Sequence, residues 1–310
     1  MKKGIALVLI FVLATTAFGC SKEPVADDGR LKVVCTNFAA YDLTRSITGK
    51  AASVTMLLKP GEESHSFEPT PRDIAELEKA DLFVYTGGES DSWADTILES
   101  VDNGPMPVRM LELCEPLDEE HLPGLEAESE HGHVHEYDEH VWTSPKNALD
   151  ITNGILKALL AADSQNADIY RQNADNAVWE LEKLDSAYRH LAESAKRNTL
   201  VFCDKFPFLY MVKEYGFDYF AAFPGCYEGA EPDAKTVAFL IDKVKAENIP
   251  VVFYIEFSNR QMANTVSEDT GAKPLLLHSA HGITKAEFEA GATYLSLMWQ
   301  NLENLKEALN

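Results

Sequence analysis

Short apolar runs rich in β-branched residues alternate with longer stretches in which apolar residues recur every three or four positions, and this alternation is the main structural signal in the chain. Leu31 to Thr36, Ser53 to Leu58, Leu82 to Thr86 and Val108 to Leu113 read as strands. Between them, Ala40 to Thr48, the segment opening at Pro71 and the segment carrying Trp93, Ile97, Leu98 and Val101 read as amphipathic helices. Thr70 is an N-cap, Pro71 fits the first helical position and Asp73 stands where a capping-box acid belongs. Strands alternating with helices at this spacing predict parallel β-α-β units.

The pattern dissolves from Glu115 to Glu139, which holds ten Asp or Glu, four His (His121, His131, His133 and His135) and no Lys or Arg. Such a segment cannot bury enough apolar surface to order itself and predicts a mobile loop. Order resumes at His140-Val141-Trp142, and Ser144 with Pro145 opens a helix reaching about Ala161. A longer helix follows from about Ala167 to Ala195, with Tyr170, Ala174, Ala177, Leu181, Leu184, Tyr188 and Leu191 on one face.

The β-α alternation then returns. Thr199 to Cys203, Tyr219 to Phe223, Pro250 to Ile255 and Pro274 to Leu277 read as strands. Helices are predicted around Phe208 to Tyr215, Ala234 to Glu247 and Arg260 to Thr270, and a last one from near Lys285 fills the C-terminus. The expected fold is α/β. It has an N-terminal lobe over 31–165 (with the acidic loop at 115–139), a linking helix over 166–197 and a C-terminal lobe over 198–310, each lobe a mainly parallel sheet flanked by helices.

The first nineteen residues change the picture at the N-terminus. Lys2 and Lys3, the apolar run Ile5 to Leu13 and the small-residue approach to Cys20 read as a signal sequence over 1–19. They predict cleavage before a lipidated Cys20, with 20–30 as a tether, and hence an extracytoplasmic protein anchored to a bacterial membrane by its lipid. With 27 basic against 50 acidic side chains the formal charge is −23, so nucleic acid is excluded as a partner and cations are favoured. Cys35, Cys114, Cys203 and Cys226 could form two disulfides outside the cytoplasm, or stay as buried thiols.

Candidate chemistry gathers at the ends of predicted strands. His65 lies in the connection after the second strand, and His140 precedes the helix leaving the first lobe. Asp204 ends the first strand of the second lobe, while His278 and His281 end its last. Carboxyl edges of parallel sheets are where ligands bind. Imidazoles with one carboxylate suit zinc, and four protein ligands leave no open position for a reactive water, so binding is expected and catalysis is not. A metallohydrolase would need an open site and a positioned base, and the chain has no His-Glu-x-x-His. Manganese prefers a shell richer in oxygen.

The stretch GEESHSFEPTP with His65, the acidic histidine-rich loop, DEHVWTSP with His140, the segment beginning TLVFCDKFPF, VVFYIEFSN and the closing AGATYLSLMWQNL together resemble the solute-binding lipoproteins of zinc or manganese ABC importers, the zinc-uptake receptor type. The resemblance implies a metal site between two lobes joined by one rigid helix, with His65 and His140 as ligands, and a monomer that delivers its ion to an ABC permease and its ATPase. It places the third ligand position at Lys205, which cannot bind metal, so Asp204 is the expected substitute. The fourth position falls at His281, with His278 as the alternate and Glu256 as a supporting residue. The four loop histidines are expected to collect zinc loosely. A manganese receptor of the same family is the nearest alternative reading, and a metal-stabilised adhesion lipoprotein is another.

Overall fold

The computed structural model describes residues 28–63, 67–101, 103–118, 137–223 and 234–310. His65, the loop histidines His121, His131, His133 and His135, the lipidation candidate Cys20, and Cys226 lie outside the described residues. The chain forms two units, Met1–Arg30 and Leu31–Asn310. In the described part of the first, the Arg30 guanidinium pairs with Asp28 at 2.6 Å.

Among the described residues, eight strands make two sheets with one topology. The first contains β1 (Leu31–Cys35), β2 (Ala52–Met56), β3 (Leu82–Tyr85) and β4 (Met106–Arg109) in the order β2-β1-β3-β4. The second contains β5 (Thr199–Phe202), β6 (Asp218–Ala221), β7 (Val251–Tyr254) and β8 (Lys273–Leu276) in the order β6-β5-β7-β8. Every strand pair is parallel. All carboxyl ends of a sheet therefore point the same way, and the loops that follow them share one edge.

The helices are α1 (Phe38–Thr48), α2 (Pro71–Leu77), α3 (Ser92–Ser100), α4 (Pro145–Ala162), α5 (Ala167–Ser194), α6 (Leu209–Tyr215), α7 (Ala234–Glu247), α8 (Gln261–Thr270), α9 (Lys285–Glu289) and α10 (Tyr294–Leu309). Thr70 and Asp73 form the expected capping box on α2. Ser144 caps α4 by accepting from Asn147 N–H, with Pro145 at the first position.

The core lies in three parts. Leu77 of α2 and Ala94 of α3 cover one face of the first sheet through Val34, Phe83 and Tyr85. Leu240, Val244, Ala263 and Val266 of α7 and α8 cover one face of the second through Val201 and Val252. The remaining faces of both sheets share one apolar cluster with α1, α4, α5 and α10, containing Val33, Ile155, Leu184, Phe202, Phe253 and Leu302 among others.

Helix α5 supports that shared core. Its 28 residues extend roughly 42 Å at the standard rise. The seven positions expected on its apolar face, Tyr170 through Leu191, are the ones it buries. Asn173 near its start donates to Ile47 C=O of α1 at 2.9 Å, and Tyr188 near its end donates to Met298 C=O of α10 at 2.9 Å. One rigid element thus ties the surroundings of both sheets.

Two elements differ from expectation. The strand expected over Val108 to Leu113 is instead β4 at Met106–Arg109 followed by a 3-10 turn at Met110–Leu113. Met106 and Pro107 are exposed, so the apolar run marks the end of the strand and the turn beneath it. The expected single C-terminal helix is two, because Gly291 adopts φ 77° after α9 and Thr293 starts a new capping box on α10. Cys35, Cys114 and Cys203 are free thiols, each pushed up to about 12 by burial, so the described cysteines form no disulfide.

Candidate metal centre

The loops after β4 and β8 meet at the carboxyl edges of the two sheets. There Glu139, His140 and His281 each offer a ligand atom, and these atoms lie within 4.8 Å of one another. All three residues are buried. The imidazoles of His140 and His281 stand edge to face with centroids 5.4 Å apart, and the Trp142 ring packs on both, at 5.6 and 5.0 Å.

On the first-sheet side the direct support of His140 is local in sequence, while Glu139 is held from a distant segment. The Asp138 carboxylate accepts from the His140 backbone N–H at 2.8 Å and lies 3.2 Å from His140 Nδ1. A carboxylate can only accept, so this contact orients the His140 ring with Nδ1 toward Asp138. Tyr210 in turn donates its hydroxyl to the Asp138 carbonyl at 2.9 Å while accepting from Leu117 N–H at 3.1 Å. The Glu139 carboxylate accepts from the backbone N–H and hydroxyl of Ser90 at 3.1 and 2.8 Å. Beside it, burial followed by the Glu139 charge raises the Asp91 carboxyl to about 6, against the opposing hydrogen bonds from Thr86 N–H and Thr36 Oγ1.

On the second-sheet side the support comes from afar. Glu256, buried just past β7, accepts from the backbone N–H of Ser279 at 2.8 Å and from its hydroxyl, and that hydroxyl accepts from His281 N–H at 3.1 Å. Asn301 of α10 clamps His278 through both backbone groups at 2.7 Å. Between them Ala280 takes φ 58°, a left-handed conformation costing a β-carbon-bearing residue about 1–2 kcal/mol. Strain of this kind persists only where surrounding bonds fix it.

Further contacts join the two edges. Trp142 Nε1–H donates to Ser279 C=O at 2.8 Å, Phe38 N–H to His281 C=O at 3.0 Å, and Gly61 N–H to Ile283 C=O at 2.8 Å. Lys205 Nζ reaches Glu63 Oε1 at 2.7 Å, so the lysine at the third ligand position implied by resemblance makes a salt bridge.

Of the residues singled out from the sequence, the structure brings His140 and His281 together. Asp204 is not in that group. Its Oδ2 is nevertheless buried with no hydrogen bond among the described residues, and burial raises its carboxyl above the ordinary value against the Lys205 N–H bond to Oδ1 at 2.9 Å. His278 accepts from Ala280 N–H through Nδ1 at 2.9 Å, and its nitrogens lie 3.6 Å from Glu256 and 3.6 Å from Glu287. Sequence reasoning missed Glu139, which closes the acidic segment and was counted with it. Its position directly before His140 is the one signal that separates it from that run.

Paired parallel sheets of one strand order, with imidazoles and a carboxylate gathered where their carboxyl edges meet, are the architecture of a two-lobed solute-binding protein. Residues 33–308 match the model of the family described as zinc-uptake complex component A, periplasmic, and the chain belongs to that family. It is 30% identical over 305 residues to the high-affinity zinc uptake system protein ZnuA of Bacillus subtilis, covering 96% of this chain and 94% of that protein. It is 32% identical over 313 residues to the zinc-binding lipoprotein AdcA of Streptococcus pneumoniae, covering 99% of this chain and 61% of that protein. The chain thus spans about three-fifths of the length of its streptococcal relatives. The crystal structure of the Zn(II)-bound ZnuA-like domain of that AdcA superposes with a TM-score of 0.76 at 29% identity, over 91% of this chain and 99% of the domain.

Proposed function

We propose that the chain is an extracytoplasmic receptor that captures Zn2+ between its two sheets and delivers it to an ABC permease. The observation that carries this reading is the buried convergence of His140 and His281 from separate sheets, with Glu139 beside them. Neutral imidazole is a good zinc donor, and a site shared by both sheets lets the ion join them. Membership of a zinc-uptake family and the zinc-binding names of its relatives support the choice of metal. Two further residues are proposed as ligands: His65, which follows β2 in sequence, and Asp204, whose buried and unbonded Oδ2 among the described residues suits a cation.

The role is binding and release, with no chemical step, and the protein acts as a monomer tethered through lipid on Cys20. His121, His131, His133 and His135 form an accessory zinc-collecting segment. Since α5 and a continuous core join the surroundings of both sheets, capture involves small shifts of the edge loops and little domain rotation.

The test is competition dialysis of the chain against equimolar zinc and manganese. One tightly held zinc, lost in His140→Ala and in His281→Ala, is the expected result. Retained manganese would move the reading to a manganese receptor, and no bound metal would refute it.

A further inference from the structure

Glu139 stands in a place made for a carboxylate. Gly88 leaves the room: a β-carbon there would meet Glu139 Oε2 at 2.3 Å and Glu139 Cβ at 2.5 Å. Ser90 supplies two donors to Oε2, at 3.1 and 2.8 Å, which fix the side chain from below. Its next neighbour in sequence, His140, is fixed by Asp138, and the ligand atoms of both residues fall within 4.8 Å of the donor on His281.

Two neutral imidazoles alone would hold a divalent ion with no charge compensation in a buried site, which is costly. A carboxylate at coordinating distance supplies that charge, and the structure offers two candidates. Asp204 is the one suggested by its place after β5, yet it lies outside the converging group, whereas Glu139 lies within it.

We propose that Glu139 is itself a ligand of the transported ion, so that one short segment before α4 contributes both an oxygen and a nitrogen donor and the second sheet contributes His281. This rests on the zinc-receptor reading and assigns the negative charge of the site to the first sheet. Ser90 and Gly88 position the carboxylate.

The test has two arms, both on the full chain. First, zinc affinity is measured by chelator competition for wild type, E139Q and D204N. E139Q is expected to weaken zinc by at least about 100-fold, beyond the 10- to 100-fold typical of residues that only support a ligand, and D204N by less. Second, and independent of whether E139Q folds, the zinc-loaded wild type is examined by crystallography. A Glu139 oxygen within about 2.0–2.2 Å of the zinc is expected. A zinc held by the wild type with the Glu139 carboxylate beyond bonding distance, or an E139Q protein with wild-type zinc affinity, would overturn the assignment while leaving the receptor reading intact. A wild type that binds no zinc would instead defeat the reading beneath it.

Discussion

The two sheet edges that meet at the candidate metal centre share a strand order but hold their candidate donor side chains by different means. At the first edge, His140 is held by the residue two positions before it and Glu139 by a serine in the adjoining loop. At the second, His281 is held through Ser279 by Glu256, more than twenty residues away, and the loop includes a left-handed Ala280. The first arrangement fixes a side chain with little demand on the backbone. The second bends the backbone itself and depends on a buried charge. Common topology therefore places ligands without dictating how they are made rigid.

The largest expected effect is loss of either imidazole. With zinc a thousandfold above its dissociation constant, the wild type should gain about 4 kcal/mol of stability. His140→Ala and His281→Ala should each lose most of that gain in thermal unfolding with and without zinc. Unequal losses would show which edge dominates.

Next comes the contrast between the supports. Glu256→Ala strips the partner from buried Ser279 N–H, so it should destabilise the metal-free protein by about 1–3 kcal/mol and weaken zinc about 10- to 100-fold. Asp138→Asn keeps an acceptor for the His140 backbone. It should weaken zinc by a similar factor while moving metal-free stability by less than about 1 kcal/mol. Chemical denaturation paired with chelator competition separates the two, and equal stability losses would erase the contrast.

A smaller effect lies in pH. The Glu287 carboxyl is lowered from an ordinary value near 4.5 to about 2, chiefly by the His278 ring 3.6 Å away. Burial lowers the His278 value, but the charges of Glu256 and Glu287 outweigh it and leave a net rise above 6.5. A lowered acid contributes stability that is present above pH 4.5 and lost as pH falls toward about 2. A raised histidine contributes stability that is present below pH 6.5 and lost as pH climbs through its folded value. Glu287→Gln should flatten the acid limb of metal-free stability between pH 4.5 and about 2, and an unchanged limb would refute the pairing.

The smallest effect is at the Lys205–Glu63 salt bridge. Lys205→Met removes the bridge to Glu63, whose side chain is 49% exposed, so stability should change by less than about 1 kcal/mol, with any change vanishing in high salt.

The fold was legible in the sequence because its signals are local. The face of α5 is a run of spaced apolar residues, and the caps of α2 and α4 are written in Thr70-Pro71 and Ser144-Pro145. The convergence of His140 and His281 was legible because parallel sheets bring the loops after their strands to one carboxyl edge. Glu139 was not, since in sequence it belongs to an acidic run. Only the space above Gly88 and the donors of Ser90, about fifty residues earlier, set it apart. The break between α9 and α10 was missed because Gly291 interrupts a pattern whose apolar period continues on both sides.

The most direct test is an anomalous difference map at the zinc absorption edge from crystals of the zinc-loaded protein. A single strong peak bonded to His140 and His281 at about 2.0–2.1 Å is predicted. No peak at this junction in zinc-loaded crystals would contradict the account.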